Sequence, residues 1–265
     1  MRTPIPIVAL CLYATVLVAQ DPAVPTRASA KERLQALQQE QKRLTTEWQK
    51  AIQDARATAE AKAKAGETVP ALPMRPDFKE LIAQAEATAA DYAGTDDAPQ
   101  FLVWIVQTSG GDPAPMMRAL ATLAVHHVDH PAVVTIGRTL TYLPQLPAQV
   151  RGTDAEVEAM LDRFSKSSNP DVRGWALLGR YGKAIEDAPR DSAAYDLARK
   201  TLLGAADVAT QKELVADLRG CIDLRERFAV GNTAPEIAGE DLDGVAFKLS
   251  DYKGKVVFLD FWGDW

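Results

Sequence analysis

All three histidines of the chain fall in one pentapeptide, HHVDH at positions 126–130. His126 and His130, four apart, would share one face of a helix with Asp129 near His126, a spacing compatible with a metal site. The pattern lacks the glutamate of the helical zinc-protease motif, no cysteine joins it, and Pro131 ends a helix at once. Histidines near a helix C-terminus are already favoured by the helix dipole, so no metal is expected here. The cysteines are Cys11 and Cys221. Cys11 lies in an N-terminal apolar run that export would remove, which leaves Cys221 with no internal disulfide partner. Leu214, Leu218, Leu224 and Phe228 lie at offsets from Cys221 that share one helix face, the setting of a buried small hydrophobe rather than of a stabilised thiolate. The acidic pairs Glu156/Glu158 and Asp96/Asp97 have the residue types for acid-base work, but no spacing gathers them into one pocket and they read as solvated faces and caps. No nucleophile elbow, phosphate loop or dinucleotide fingerprint occurs, and no nucleotide or haem cofactor is expected.

Holding such groups in place takes folded elements, and the totals provide for them. At 265 residues the chain exceeds the usual single-domain size, so two folded regions are the prior expectation. With 47% hydrophobic and 25% charged residues it has material for both a core and a solvated surface. A net charge of −6 argues against nucleic acid as a partner, because phosphates demand a basic face. The opening MRTPIPIVALCLYATVLVAQ sets one arginine before an apolar stretch from Ile5 to Ala19, the layout of a signal peptide cut near Ala19 or Gln20. About 15 apolar residues fall short of the roughly 20 that span a bilayer, so no stable membrane span is expected. Export to the periplasm or cell envelope follows, with an uncleaved anchor as the alternative.

From Lys31 a long helix is predicted, because Leu34, Leu37, Leu44 and Trp48 recur at coiled-coil spacing. It continues through the alanine-rich ARATAEAKAKAG and breaks at GETVPALPMRP. Packing on its own domain and pairing with a second copy both suit that stripe, so self-association through the helices is a possible partner interaction. Between Asp77 and Phe228 apolar residues recur at three and four, as in Phe78, Leu81, Ile82 and Ala85, and in Val157, Met160, Leu161 and Phe164. Helix starts are predicted near Pro113, Pro131, Gly152, Pro170, Pro189 and Asp207, about every 19 residues, which gives antiparallel pairs of about 38 residues. NPDVRGWALLG at 169–179 resembles the start of a HEAT-repeat helix. A HEAT-like or TPR-like array and an irregular helical bundle are both compatible with the pattern, and an array usually offers a surface rather than a reaction centre.

After Val230 the texture turns to strands and turns. Asp243-Gly244 signals a hairpin turn, Lys253-Gly254-Lys255 a second turn, and Val256 to Phe261 reads as an apolar strand buried on both faces. This segment resembles the opening of a thioredoxin-like redoxin domain, the class of TlpA-like thiol-disulfide oxidoreductases and of alkyl hydroperoxide reductase/thiol-specific antioxidant proteins. Gly231, Ala234 and Pro235 match its G-x-x-A-P, Asp243-Gly244 its D-G turn, Phe247, Leu249 and Ser250 its F-x-L-S, and Tyr252, Gly254 and Lys255 its Y-x-G-K. VVFLDFWGDW matches the strand and turn that deliver the active site.

The resemblance implies that a Cys-x-x-Cys should follow Trp265 at the N-terminus of a helix, whose free amides stabilise the attacking thiolate. It implies that Trp262 packs beneath the site, that Trp265 stands beside the first cysteine, and that Asp260 is the buried acid assisting proton transfer at the second, an exposed strand-end acid being the alternative for Asp260. The expected layout is a signal peptide over 1–20, a leader, long helix and Pro-rich linker over 21–76, a helical domain over 77–230, and the start of a redoxin domain over 231–265. The fold class is mostly α, a helical array or bundle followed by the first β-strands of a thioredoxin-like α/β domain that stops before its nucleophile. The function implied is an exported thiol-disulfide oxidoreductase acting on a protein disulfide or dithiol partner, the 265 residues alone being inactive. Peroxide reduction and a non-enzymatic helical scaffold are the alternatives.

Overall fold

The computed structural model describes residues 28–110 and 112–260. The expected signal over 1–20, and Phe261, Trp262 and Trp265, lie outside the described residues. Among those described, the chain is mostly helical, with ten α-helices and a small C-terminal sheet of two strands. None of these helices is long and apolar enough to cross a membrane.

Helix α1 (Ala30–Lys64) begins at a capping box in which the Ser29 hydroxyl accepts the Glu32 amide at 3.3 Å and the Glu32 carboxylate accepts the Ser29 amide at 2.8 Å. Its first half lies against α2 (Lys79–Asp91) and α3 (Ala98–Thr108): Leu37 is buried, and Leu34 and Leu44 pack on the core. The leucine stripe is thus used within the chain. Polar groups fix the register. Arg33 donates to Asp91 at 2.9 Å and to Thr88 at 3.0 Å, while Gln41 accepts the Trp104 indole N–H at 3.1 Å and donates to Thr108 at 3.2 Å. The second half of α1 has no buried residue, and the Pro-rich segment returns beside it, its Pro73 carbonyl accepting the Trp48 indole N–H at 3.1 Å.

From Phe101 to Val106 every residue of α3 is buried, as expected of a helix enclosed by its neighbours. Successive helices then pack side by side: α3 on α4 (Pro113–His126), α4 on α7 (Asp154–Phe164), α7 on α8 (Pro170–Asp187), α8 on α9 (Ala193–Ala206), and α9 on α10 (Lys212–Arg227). Between α4 and α7 the chain is broken into short pieces, a 3₁₀ turn at Pro131–Ile136, α5 (Gly137–Tyr142), a 3₁₀ turn at Leu143–Gln145 and α6 (Ala148–Arg151). Pro144 and Pro147 withdraw amide donors there and stop a regular helix. Helix α8 is the centre of the second half, with α5, α7, α9 and α10 all against it. Two glycines let it be approached closely: a Cβ on Gly179 would lie 2.5 Å from the Leu140 carbonyl oxygen, and one on Gly174 would lie 2.8 Å from Leu214. The core runs unbroken from Ala30 to Ile222.

The starts at Pro113 and Pro170 are where the sequence puts them, and the start near Gly152 is set by a capping box between Thr153 and Glu156. Two are displaced. Pro189 sits in the turn after α8, and α9 starts only at Ala193, once Ser192 accepts the Tyr195 amide. Asp207 caps the C-terminus of α9, and α10 starts at Lys212.

Beyond α10 the backbone forms a hairpin, β1 (Ala238–Glu240) antiparallel to β2 (Ala246–Lys248), with Gly239 opposite Phe247. The Asp243-Gly244 turn forms as read: Asp241 accepts the Asp243 and Val245 amides on its side chain and the Gly244 amide on its carbonyl, and Gly244 takes φ +75°, where glycine carries no steric penalty. A 3₁₀ turn over Leu249–Tyr252 follows.

Candidate functional site

The segment most closely tied to a known chemistry runs from Gly231 to Asp260. Pairing of β1 with β2 is extended when the Leu249 amide donates to the Ile237 carbonyl at 2.8 Å, and the Glu236 carboxylate accepts the Ser250 amide at 3.0 Å. Hydrogen bonds from Ser250, its hydroxyl first and this amide second, hold the Glu236 carboxyl below its usual range. Asp251 accepts the Lys248 amide at 2.9 Å, closing the 3₁₀ turn on the end of β2. Gly254, at φ +83°, and the Lys255 ammonium 5.8 Å over the Tyr252 ring complete the turn that leads into Val256.

The buried strand expected from Val256 is not formed among the described residues. Val256 to Asp260 are unpaired and exposed, Phe258 to 89%. The cause is geometric: an apolar strand of this kind is buried only between flanking strands and covering helices, and the described hairpin supplies neither on that side. Asp260 is exposed and in no regular element among the described residues. Trp262 and Trp265, the two expected flanking residues, lie outside the described residues.

This C-terminal segment of about 40 residues is similar to thiol-disulfide oxidoreductases named ResA, and the rest of the chain has no assigned likeness. Identity to the protein of Geobacillus thermodenitrificans is 57% over 37 residues, 14% of this chain and 21% of the relative. To that of Bacillus cereus it is 43% over 47 residues, 18% of this chain and 27% of the relative, and to that of Bacillus subtilis 49% over 41 residues, 16% and 23%. The chain therefore spans about a fifth to a quarter of the length of the curated relatives it matches. No family model matches the chain, and no solved structure does so significantly.

The remaining reactive residues are placed apart. Helix α4 ends at His126, so His126 and His130 do not share a helical face. His127 caps α4, and His130 instead starts the next 3₁₀ turn, its Nδ1 accepting the Ala132 amide at 3.2 Å. Asp129 accepts the Ser168 amide at 2.7 Å and the hydroxyls of Ser168 and Ser167, bonds that hold its carboxyl below the usual range. Among the described residues no three His, Cys, Asp or Glu side chains converge on a metal-sized point. Cys221 packs half-buried against the core; burial pushes its thiol pKa up. The stripe it was read with divides: Leu214 and Leu218 are buried, whereas Leu224 and Phe228 are 57% and 62% exposed, although Glu226 between them still bonds Tyr195 and Arg199 of α9. Glu156 belongs to a cap and Glu158 pairs with Arg180 at 2.5 Å, so that acidic pair is divided between two structural tasks.

Sequence reasoning missed a groove of about 830 Å³ between α2, α3 and α4, floored by Ala89, Leu102, Ile105 and Ala119 and rimmed by Asp96, His126 and His127. The sequence signal was the six alanines and one glycine from Ala85 to Ala98, whose short side chains leave room between the helices on that side.

Proposed function

We propose that the protein is an exported thiol-disulfide oxidoreductase in which the segment from Gly231 onward opens a redoxin domain and the preceding helices dock a protein partner carrying a disulfide or dithiol. The observation that carries this reading is the 43–57% identity of the C-terminal segment to relatives named thiol-disulfide oxidoreductases. The folded Asp243-Gly244 hairpin and the turn at Gly254 support it, since both motifs take the shapes that their glycines allow.

Exchange proceeds by attack of a thiolate on one sulfur of the partner's disulfide; the new S–S bond forms as the old one breaks and the second partner sulfur leaves as a thiolate. A second cysteine of the enzyme then attacks the mixed disulfide, releasing the partner as a dithiol and leaving the enzyme oxidised. Cys11 and Cys221 are far apart in sequence and do not form a Cys-x-x-Cys. On this reading the reactive pair belongs to the intact protein beyond Trp265, with Trp265 beside the first cysteine, Trp262 beneath the site and Asp260 taking the proton of the second. Asp260 becomes buried only when further strands complete the sheet around Val256 to Phe261.

The test is to read the coding sequence past codon 265, express its product, and assay reduction of insulin disulfides alongside the 265-residue chain. A Cys-x-x-Cys with turnover abolished by replacing both cysteines with serine is the expected result, with no turnover by the 265 residues alone. A lone cysteine in a threonine and proline context with peroxide-dependent turnover redirects the reading to a peroxidase. A stop codon at that place overturns it in favour of a binding scaffold.

A further inference from the structure

The HHVDH turn joins three parts of the helical region. It ends α4 at His126, it starts the Pro131–Ile136 turn through the His130 cap, and it clasps the loop between α7 and α8, where Ser167 donates to the Val128 carbonyl at 3.1 Å and Ser167 and Ser168 both donate to Asp129. One of these joints depends on neutral imidazole. The His130 Nδ1 accepts the Ala132 amide, and a protonated imidazole has no acceptor nitrogen. The His126 and His127 rings stand with centroids 6.2 Å apart, so charging both sets two cations side by side.

We propose that this turn is a proton-operated joint: the neutral His130 imidazole caps the Pro131–Ile136 turn, and its protonation loosens that cap and, through it, the end of the α2–α3–α4 groove that His126 and His127 line. Compensation for positive charge comes from the C-terminal dipole of α4 at His126 and His127 and from the Asp129 carboxylate beside His130, and from little else. Helix α3, packed against the turn, has no charged residue. Glu86 of α2 is paired with Arg118 of α4 at 2.8 Å, Asp129 also accepts from the two serines, and Arg138 of α5 lies over the Trp175 ring at 5.4 Å. Arg173 of α8 donates to the Ser167 carbonyl at 2.7 Å and adds a further cation near the clasp. Asp96, on the groove rim, is a further carboxylate that favours the charged form, and it is outweighed at His127 by burial and by the other two histidines, which lower its pKa. Nothing in this inference depends on the redox reading.

Amide hydrogen exchange on the 265-residue chain, corrected for the intrinsic rate at each pH, tests the proposal. Protection over residues 127–136 is expected to fall about fivefold between pH 7.5 and 5.5, the order of a lost helix cap, while protection within α8 stays constant. His130→Asn, whose amide oxygen caps without titrating, should lose most of that dependence, and adding His127→Gln should remove the rest. A wild-type profile that is flat in pH, or a double variant that still falls as the wild type does, overturns the proposal.

Discussion

Asp171 stands near the start of α8 yet caps a different helix: its carboxylate accepts the Thr210 amide at 2.6 Å and the Gln211 amide at 3.1 Å, at the mouth of α10. The Thr210 hydroxyl adds a third bond at 2.5 Å, and the Gln211 side chain accepts the Trp175 indole N–H at 2.9 Å. One carboxylate and one amide thereby fix the angle at which α10 leaves the loop and returns to α8.

Replacing Asp171 with alanine leaves those part-buried amides without their acceptor, and urea unfolding should show a loss of about 1–2 kcal/mol. Burial opposes ionisation of Asp171, but the bonds from Thr210 and Gln211 outweigh it and hold the carboxyl below its usual range. A folded pKa below the unfolded one contributes stability that is complete above the unfolded value, about 3.9, and is lost as pH falls through the folded value. The stability difference between wild type and Asp171→Asn should therefore be constant from pH 5 to 7 and shrink below pH 4.

Gly179→Ala drives a methyl group into the Leu140 carbonyl, backbone against backbone, and cannot be relieved by a rotamer change. The expected cost is about 2 kcal/mol or more, read as a lowered midpoint in thermal unfolding. Gly204, late in α9, has nothing within 4 Å of a built Cβ, and Gly204→Ala should raise the same midpoint by up to about 1 kcal/mol in stability.

Gln41 ties α1 to α3 with both ends of its amide. Gln41→Leu keeps the volume but strands the Trp104 N–H in a half-buried site, at about 1–3 kcal/mol. Release of α1 from the body should be visible as faster proteolysis within residues 28–64 before global unfolding begins.

Cys221 should react slowly with iodoacetamide at pH 8 in the native chain and fast in urea, since burial disfavours its thiolate. Equal rates in both states would contradict the packing of α10 on α8.

Caps and helix faces were legible in the sequence because both are local. Asn169-Pro170-Asp171 is an example: Asn169 accepts the Asp171 amide at 2.9 Å, and Pro170 opens the helix without wasting a donor. Partners distant in sequence were not legible. The apolar pattern that buries Leu214 and Leu218 continues to Leu224 and Phe228, and only packing distant in sequence decides which of them is covered. The same holds for Val256 to Leu259, whose composition demands a sheet that local sequence cannot supply. The Asp129 clasp to Ser167 and Ser168 joins residues on separate helical pairs, and no spacing rule connects them.

At about 1.5 Å per residue, the 35 residues of α1 extend about 52 Å, and its buried side chains, Ala30 and Leu37, lie near one end. Such a helix is a lever with its fulcrum at the α1–α2 seat. A tilt of about 5° at Leu44, which packs on the core, carries Lys64, about 30 Å further along, through some 2–3 Å. Anything that nudges Arg33 or Gln41 is thereby reported, magnified, at the far tip.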